Sequence, residues 1–249
     1  MSFAVVILAA GQGKRMKSDL PKILHPLQGR PLVNWVIETA QAAGAERVVV
    51  IVGYGREQVT RALPPGVETA VQDAQLGTGH AVRCAEGALK SYAGPIAVLS
   101  GDVPLLRVET VKALAAERAK ANAAVAVLTA IVKGAHAYGR IVRDASGTVR
   151  RIVEHKDAAS AERKIEEINT GTYVFGPGEL FPALAALKNS NAQGEYYLTD
   201  TVEYFVQAGK PVVARIAPDA REGLGVNTPE ELAKAELKVR SEKLRGRGA

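Results

Sequence analysis

The residues richest in chemistry come early in the chain. An apolar run, FAVVIL (3–8), empties into AAGQGKRMKSDLPK (9–22), which holds Gly11, Gly13, Lys14, Arg15 and Lys22. Small residues at 9–11 let a ligand lie against bare backbone, whose N–H groups can bind a base or a phosphate. Arg15 and Lys22 add donors and positive charge suited to a triphosphate. Two familiar phosphate loops are excluded. The dinucleotide fingerprint needs Gly or Ala where Met16 stands, and the NTPase phosphate loop needs Gly immediately before Lys17-Ser18. Taken alone, the loop also reads as a tight strand-to-helix turn carrying solvated basic residues.

Other reactive side chains are few. The single cysteine, Cys84, lies in a helical stretch, HAVRCAEGAL, and reads as a small buried residue more readily than as a nucleophile. The four histidines, His25, His80, His136 and His155, lack metal-ligand spacing, so zinc is not expected and they read as structural or rim residues. Asp102 follows a strand and a glycine in SGD (100–102), the place where acids reach a ligand in α/β sheets. On its own it also reads as the start of an Asx-type turn before Pro104.

The elements that must position these groups can be read from hydrophobic patterning. Strands are predicted at 3–8, 47–52, 96–100, 123–132, 148–154, 171–176 and 211–217. Helices are predicted at about 31–43, 56–63, 78–90, 107–121, 178–187, 199–208 and 228–245. Near-continuous Val/Ile/Leu strands separated by helices imply an α/β fold, Rossmann-like, with a mostly parallel sheet covered on both faces. The first hundred residues read as a nucleotide-binding half and the remainder as a substrate half on the same sheet. The body is expected to run over 1–227. The last helix, starting at Asn227-Thr-Pro-Glu-Glu, and a basic tail fill 228–249 and are expected to project from it.

Bulk properties narrow the class. The 249 residues are 47% hydrophobic and only 5% aromatic, ordinary for a soluble α/β protein that buries its own core. One cysteine excludes a disulfide framework, and there is neither a secretory signal nor an apolar run of membrane length, so a cytoplasmic setting is expected. The net charge of +6 raises nucleic acid as a partner. No nucleic-acid motif is present, however, and aromatics do not interleave with the basic residues, so small anionic substrates explain the charge more simply.

With Lys22 included, LAAGQGKRMKSDLPKILHPLQGRPL resembles the signature of sugar-1-phosphate nucleotidyltransferases. Gln72, QLGTGHA (75–81), SGDVPLL (100–106), YGRI (138–141), IVEHKDA (152–158), EINTGTY (167–173), NAQGEYYLTD (191–200) and GVNTPEEL (225–232) follow in order. Together they are similar to the N-terminal uridyltransferase domain of the bacterial bifunctional N-acetylglucosamine-1-phosphate uridyltransferase/glucosamine-1-phosphate acetyltransferase family. The glycine loop marks only the superfamily, whereas EHKDA, EINTG and NAQGEYYLTD are more specific. The family continues into an acetyltransferase β-helix that trimerises and that this chain lacks, which implies a monomer or weak oligomer. The family commonly has tyrosine where Ser100 stands.

The resemblance implies transfer of a uridylyl group from UTP to N-acetylglucosamine-1-phosphate, with Mg²⁺ as cofactor and pyrophosphate as the second product. It further implies that Leu8, Ala9, Ala10 and Gly11 hold the nucleotide by backbone contacts, and that Arg15 and Lys22 meet the triphosphate. Gln72, Gly77 and Thr78 would read uracil, Ser100 and Gly101 would lie beside the phosphates, and Asp102 and Asn227 would ligate Mg²⁺. Gly139, Glu154 and Asn169 would bind the sugar, walled by Tyr196, Tyr197 and Thr199. Three alternatives stand beside this reading: uridylyl or thymidylyl transfer to another sugar phosphate, a nucleotide-sugar-binding regulatory domain without chemistry, and a basic nucleic-acid-binding protein.

Overall fold

In a computed structural model, residues 2–134 and 137–246 are described, with side chains through Ser241. His136 and the tail residues 247–249 lie outside the described residues. In chain order the elements are β1 (Phe3–Ala9), a two-stranded ribbon of β2 (Pro26–Leu27) and β3 (Arg30–Pro31), α1 (Leu32–Ala42), β4 (Ala45–Val52), α2 (Arg56–Ala62), β5 (Glu68–Val71), α3 (Thr78–Arg83), α4 (Glu86–Leu89) and β6 (Ile96–Ser100). There follow α5 (Val108–Lys120), β7 (Val125–Ile131), β8 (Arg140–Arg143), β9 (Val149–Val153), β10 (Glu167–Phe175), α6 (Leu180–Ala186), α7 (Asp200–Gln207), β11 (Val212–Ile216) and α8 (Pro229–Gly246).

The main sheet runs β11-β7-β10-β6-β1-β4-β5, with β8 and β9 attached to β10 as an antiparallel pair. β6, β1, β4 and β5 are parallel, as are β11 and β7, but β10 is antiparallel to both of its neighbours. The sheet is therefore mixed and mostly parallel. The reversal at β10 cannot be read from its apolar run, because a strand buried on both faces looks the same in either direction.

Strict alternation along β1 builds two cores. Phe3, Val5, Ile7 and Ala9 face one layer, packed under α1, α2 and α5. Ala4 and Val6 face the other, under α3, α4, α6 and α7. α1 meets the first layer through Val33, Val36, Ile37 and Ala40, one face at helical spacing. The predicted helix at 78–90 is two short helices, and β5 and β8 were not anticipated. Both strands are four residues long and only partly buried, so they lack the apolar run that marks the others.

The last helix opens with a reciprocal cap. Thr228 Oγ1 accepts from Glu231 N at 3.2 Å, and Glu231 Oε2 accepts from the N–H groups of Thr228 (3.2 Å) and Asn227 (2.6 Å). This fixes Asn227 at the mouth of the helix. α8 does not project over its first turns. Ala235 and Val239 are buried against Leu27 and Leu32, and Glu236 takes a 2.7 Å bond from Gln28 N. The β2–β3 ribbon is thus the seat of the helix that carries Asn227. We expect Val239→Asp to weaken this seat by about 1–3 kcal/mol, since a charge is driven from an apolar contact. A thermal melt should show a drop of several degrees, together with a larger proportional loss at the site that Asn227 helps to form.

Candidate active site

β1 and β6 are adjacent and parallel, with Leu8 opposite Ser100, so both strands deliver their following loops to one edge. Gly101 N donates to Leu8 O at 2.9 Å, and a Cβ at Gly101 would sit 2.8 Å from that oxygen. The two loops therefore leave the sheet side by side. The glycine loop then passes Gly13, which is left-handed (φ 69°), into a short 3-10 turn, Lys14–Met16, pinned by the buried Met16. A Cβ on Gly13 would run into the Lys22 stem, so this glycine lets the loop close over the lysine. Ile23 and Leu24 are buried and hold Lys22 from the other side.

Lys22 Nζ donates to Asp102 Oδ2, and to Asn227 Oδ1 at 2.9 Å. Two oxygens from positions 102 and 227 thus converge on one cation. Gly225 packs against both residues: a Cβ there would be 3.1 Å from Asp102 Oδ2 and 3.2 Å from Asn227 Nδ2. Its N–H donates to the Tyr138 hydroxyl (3.2 Å), and Val226 N donates to Asp102 O (2.8 Å), fastening the 225–227 segment to the Asp102 loop. One anionic and one neutral hard oxygen arranged around a cation suit a divalent ion that takes its other ligands from water and phosphate. No group of three or more His, Cys, Asp or Glu suited to a metal occurs among the described residues, which leaves a sparse protein ligand set.

Two pockets meet here and share Ser100 and Asp102. One, about 190 Å³, is lined by Leu8, Ala9, Ala10, Gly11, Lys22 and Gln72, with Ile23 and Ala81. The other, about 250 Å³, is lined by Arg15, Gly139, Glu154, Asn169 and Asn227, with Tyr138, Gly171 and Gly225 among others. A larger groove of about 540 Å³ near Trp35 and α8 shares no residue with either. There Glu222 takes a hydrogen bond from Thr110 and faces Arg107 at 3.7 Å.

The second pocket owes its shape to a bulge. The β10–β7 register shifts between Asn169 and Thr172, with Gly171 at φ 78° facing Ser100. A Cβ on Gly171 would lie 2.6 Å from Ser100 Oγ. Glu154 is largely enclosed. Burial pushes its carboxyl up, a 3.2 Å bond from Thr199 opposes that, and Asp200, Asp157 and Glu195 push it up further.

Several residues named from the sequence do not line either pocket. Gly77 supports Gln72, whose amide donates to Gly77 O at 3.1 Å. Thr78 Oγ1 accepts from Leu198 N (3.0 Å), and Tyr196 O accepts from Gly79 N (2.8 Å), so these residues join α3 to the 191–199 loop. The buried Tyr197 donates to Asp157 (3.1 Å), and Thr199 backs Glu154. Residues that sequence reasoning missed include Tyr138, Gly225 and Glu231. All three stand within quoted motifs, but their place depends on contacts across 87 or more residues or on cap geometry.

Comparison with known proteins gives the family of the chain. The family described as MobA-like NTP transferase domain matches residues 5–204. The chain is 51% identical over 235 residues to a bifunctional protein GlmU of an Exiguobacterium species, covering 94% of this chain and 52% of that protein. It is 49% identical over 240 residues to the bifunctional protein GlmU of Exiguobacterium sibiricum (96% and 54%), and 53% identical over 233 residues to that of Burkholderia pseudomallei (93% and 51%). The chain spans about half the length of these relatives.

The acids behind Glu154 give a pH signature. Burial, with Glu203 and Asp157 nearby, pushes Asp200 from its ordinary 3.8 up to about 6. Below about pH 3 the group is protonated whether the chain is folded or not. Between about 4 and 6 the folded state keeps a proton that the unfolded state has lost, so the stability due to this group falls as pH rises. Above about 6 the cost is complete. Asp200→Asn should therefore raise stability at pH 7.5 by about 1–2 kcal/mol once solvent screening of this partly exposed group is allowed for, less a few tenths for the helix dipole, and give almost no gain at pH 3. Melts across this range check it.

Proposed function

The chain belongs to the MobA-like NTP transferase domain family, and from this we propose that it transfers a uridylyl group from UTP to N-acetylglucosamine-1-phosphate. The observation that carries the reading is the junction of the two pockets at Asp102, where Lys22, Asp102 and Asn227 meet. A nucleotide in the first pocket and a sugar phosphate in the second would bring their phosphates together at that point. The half-length matches to bifunctional GlmU proteins and the EHKDA, EINTG and NAQGEYYLTD motifs support the choice of substrates.

In this reaction a phosphate oxygen of the sugar phosphate forms a bond to the α-phosphorus of UTP. The bond from that phosphorus to the bridging oxygen breaks, and pyrophosphate leaves with the electron pair. The nucleophile is already ionised at neutral pH, so no base is required and the work is positioning and electrostatics. The backbone of Leu8 to Gly11 lies along the nucleotide. Gln72 meets the base. Arg15 offers a planar fork to phosphate oxygens, and Lys22 a mobile point charge. Glu154 and Asn169 meet sugar hydroxyls and the acetamido group, and Gly139 leaves room for the ring.

Asp102 and Asn227 would hold Mg²⁺, which when bound offsets the charge between the two substrates' phosphates. Lys22, which holds those two oxygens in the free protein, would then be available to the triphosphate. Asp102 is thus an ion-pair partner before substrate arrives, and its removal leaves Lys22 with Asn227 alone. Asp102→Asn is therefore not expected to stabilise the free protein.

The test is pyrophosphate release across a matrix of nucleoside triphosphates and sugar-1-phosphates, with and without Mg²⁺. UTP with N-acetylglucosamine-1-phosphate and Mg²⁺ should give the highest kcat/KM. Asp102→Asn and Lys22→Ala should each cut turnover by on the order of 10²–10³, a loss that persists at temperatures where both variants are still fully folded. A better rate with another sugar phosphate, or full activity in chelator, would displace the reading.

A further inference from the structure

Gln72 is buried at 5% exposure, yet it lines the nucleotide pocket. Its amide nitrogen makes two contacts. It donates to Gly77 O at 3.1 Å, and it lies 3.0 Å from His80 Nδ1. A carbonyl can only accept, so the Gly77 contact fixes which end of the amide is the nitrogen. That nitrogen has no lone pair to offer, so His80 Nδ1 must be the acceptor of the second hydrogen. The imidazole is therefore neutral, with its proton on Nε2. Both donors of Gln72 are used, and only the carbonyl oxygen Oε1 remains for the pocket.

We propose that His80 is a positioning residue for base selection, holding the Gln72 amide so that it presents an acceptor to an imide N–H. The inference rests on the uridylyl reading and deepens it. Uracil and thymine carry a donor at N3. Cytosine carries a lone pair there and would face Gln72 Oε1 acceptor against acceptor. The discrimination then comes from a fixed polarity in the site, and an unmatched buried acceptor costs more than a missing contact. Gln72 is thereby narrower than its residue type allows, because a free amide could turn over and serve either base.

The surroundings favour a neutral ring. Burial, and after it the positive charge of Arg83 three residues on, hold His80 below the ordinary imidazole range. Arg83 is in turn set over the Tyr196 ring at 5.5 Å. Gly77 cannot drift away from the amide. At φ 101° it has no space for a side chain, with Tyr196 O 2.6 Å from where a Cβ would be, and its carbonyl also accepts from Ala81 N at 3.0 Å. The clamp is built from a strand end, a glycine turn and the first turn of α3.

The experiment compares wild type, His80→Leu and His80→Asn in pyrophosphate release at saturating sugar phosphate, with UTP, dTTP and CTP. His80→Leu removes the acceptor, whereas His80→Asn places an amide oxygen near the Nδ1 position. His80→Leu should raise KM for UTP about fivefold, the worth of one hydrogen bond, and lower the UTP-to-CTP ratio of kcat/KM by about tenfold with kcat little changed. His80→Asn should restore the ratio to within about twofold of wild type. If His80→Leu does not fold, His80→Gln, whose oxygen falls beyond the Nδ1 position, replaces it as the loss variant. An unchanged ratio in the loss variant, a fall in kcat alone, or equal loss in His80→Asn overturns the positioning role while leaving uridylyl transfer standing. A wild type that prefers CTP or ATP to both UTP and dTTP overturns the two together.

Discussion

A single ammonium group ties the molecule together at its working edge. Lys22 is held by a carboxylate from the end of β6 and by an amide from the mouth of α8. Both partners are largely sheltered from water, with the lysine side chain 16% and the aspartate 18% exposed. Leaving any member of such a group alone is costly, because a buried charge or polar atom keeps its desolvation penalty without its partner. The glycines around it follow from the same constraint. Gly13 yields space to the lysine stem, Gly225 yields space beside the Asp102 carboxylate and the Asn227 amide nitrogen, and Gly101 lets the β6 loop lie on Leu8. At each, a side chain would crowd the lysine, one of its partners or the loops that carry them.

The proposed reaction would also ask little of the tuning of the ionisable groups at the centre of the site. A site that joins two anionic substrates has to neutralise charge and hold geometry, and it gains little from an acid or base of tuned pKa. Of the acids displaced upward, Glu154 lines the second pocket and Asp200 stands behind it. There, burial and mutual repulsion among Glu154, Asp157, Asp200 and Glu195 are tolerated beside a hydroxyl donor from Thr199.

The sequence revealed the sheet best where strands are long and apolar. β1, β4, β6 and β7 carry runs of Val, Ile, Leu and Ala that only a buried strand needs. β5 (ETAV) and β8 (RIVR) are short and half-exposed, and their partners supply most of their reason to be strands. The direction of β10 was not legible either, since apolar content carries no polarity. Within the site, the loop residues and Asp102 stood out by type and by position after a strand. Tyr138, Gly225 and His80 did not, because what they do is set by groups far along the chain, or by which hydrogen of an amide is already used. The docking of α8 was hidden for a similar reason: its alanine- and lysine-rich sequence shows little of the stripe through Ala235 and Val239 that meets Leu27 and Leu32.

That docking has a consequence for the order in which the protein comes into being. The residues around the cation are drawn from the beginning, middle and end of the chain: Lys22, Asp102 and Asn227. During synthesis the first sheet block, β1, β4, β5 and β6, can pair as soon as residue 100 has emerged, because all of its strands lie before that point. The lysine and the carboxylate are then already present, but the third corner is not. Asn227 takes its place only when α8 has left the ribosome and settled on the β2–β3 seat. A nascent chain therefore carries the lysine and the carboxylate long before it carries their third partner, and α8 completes the group.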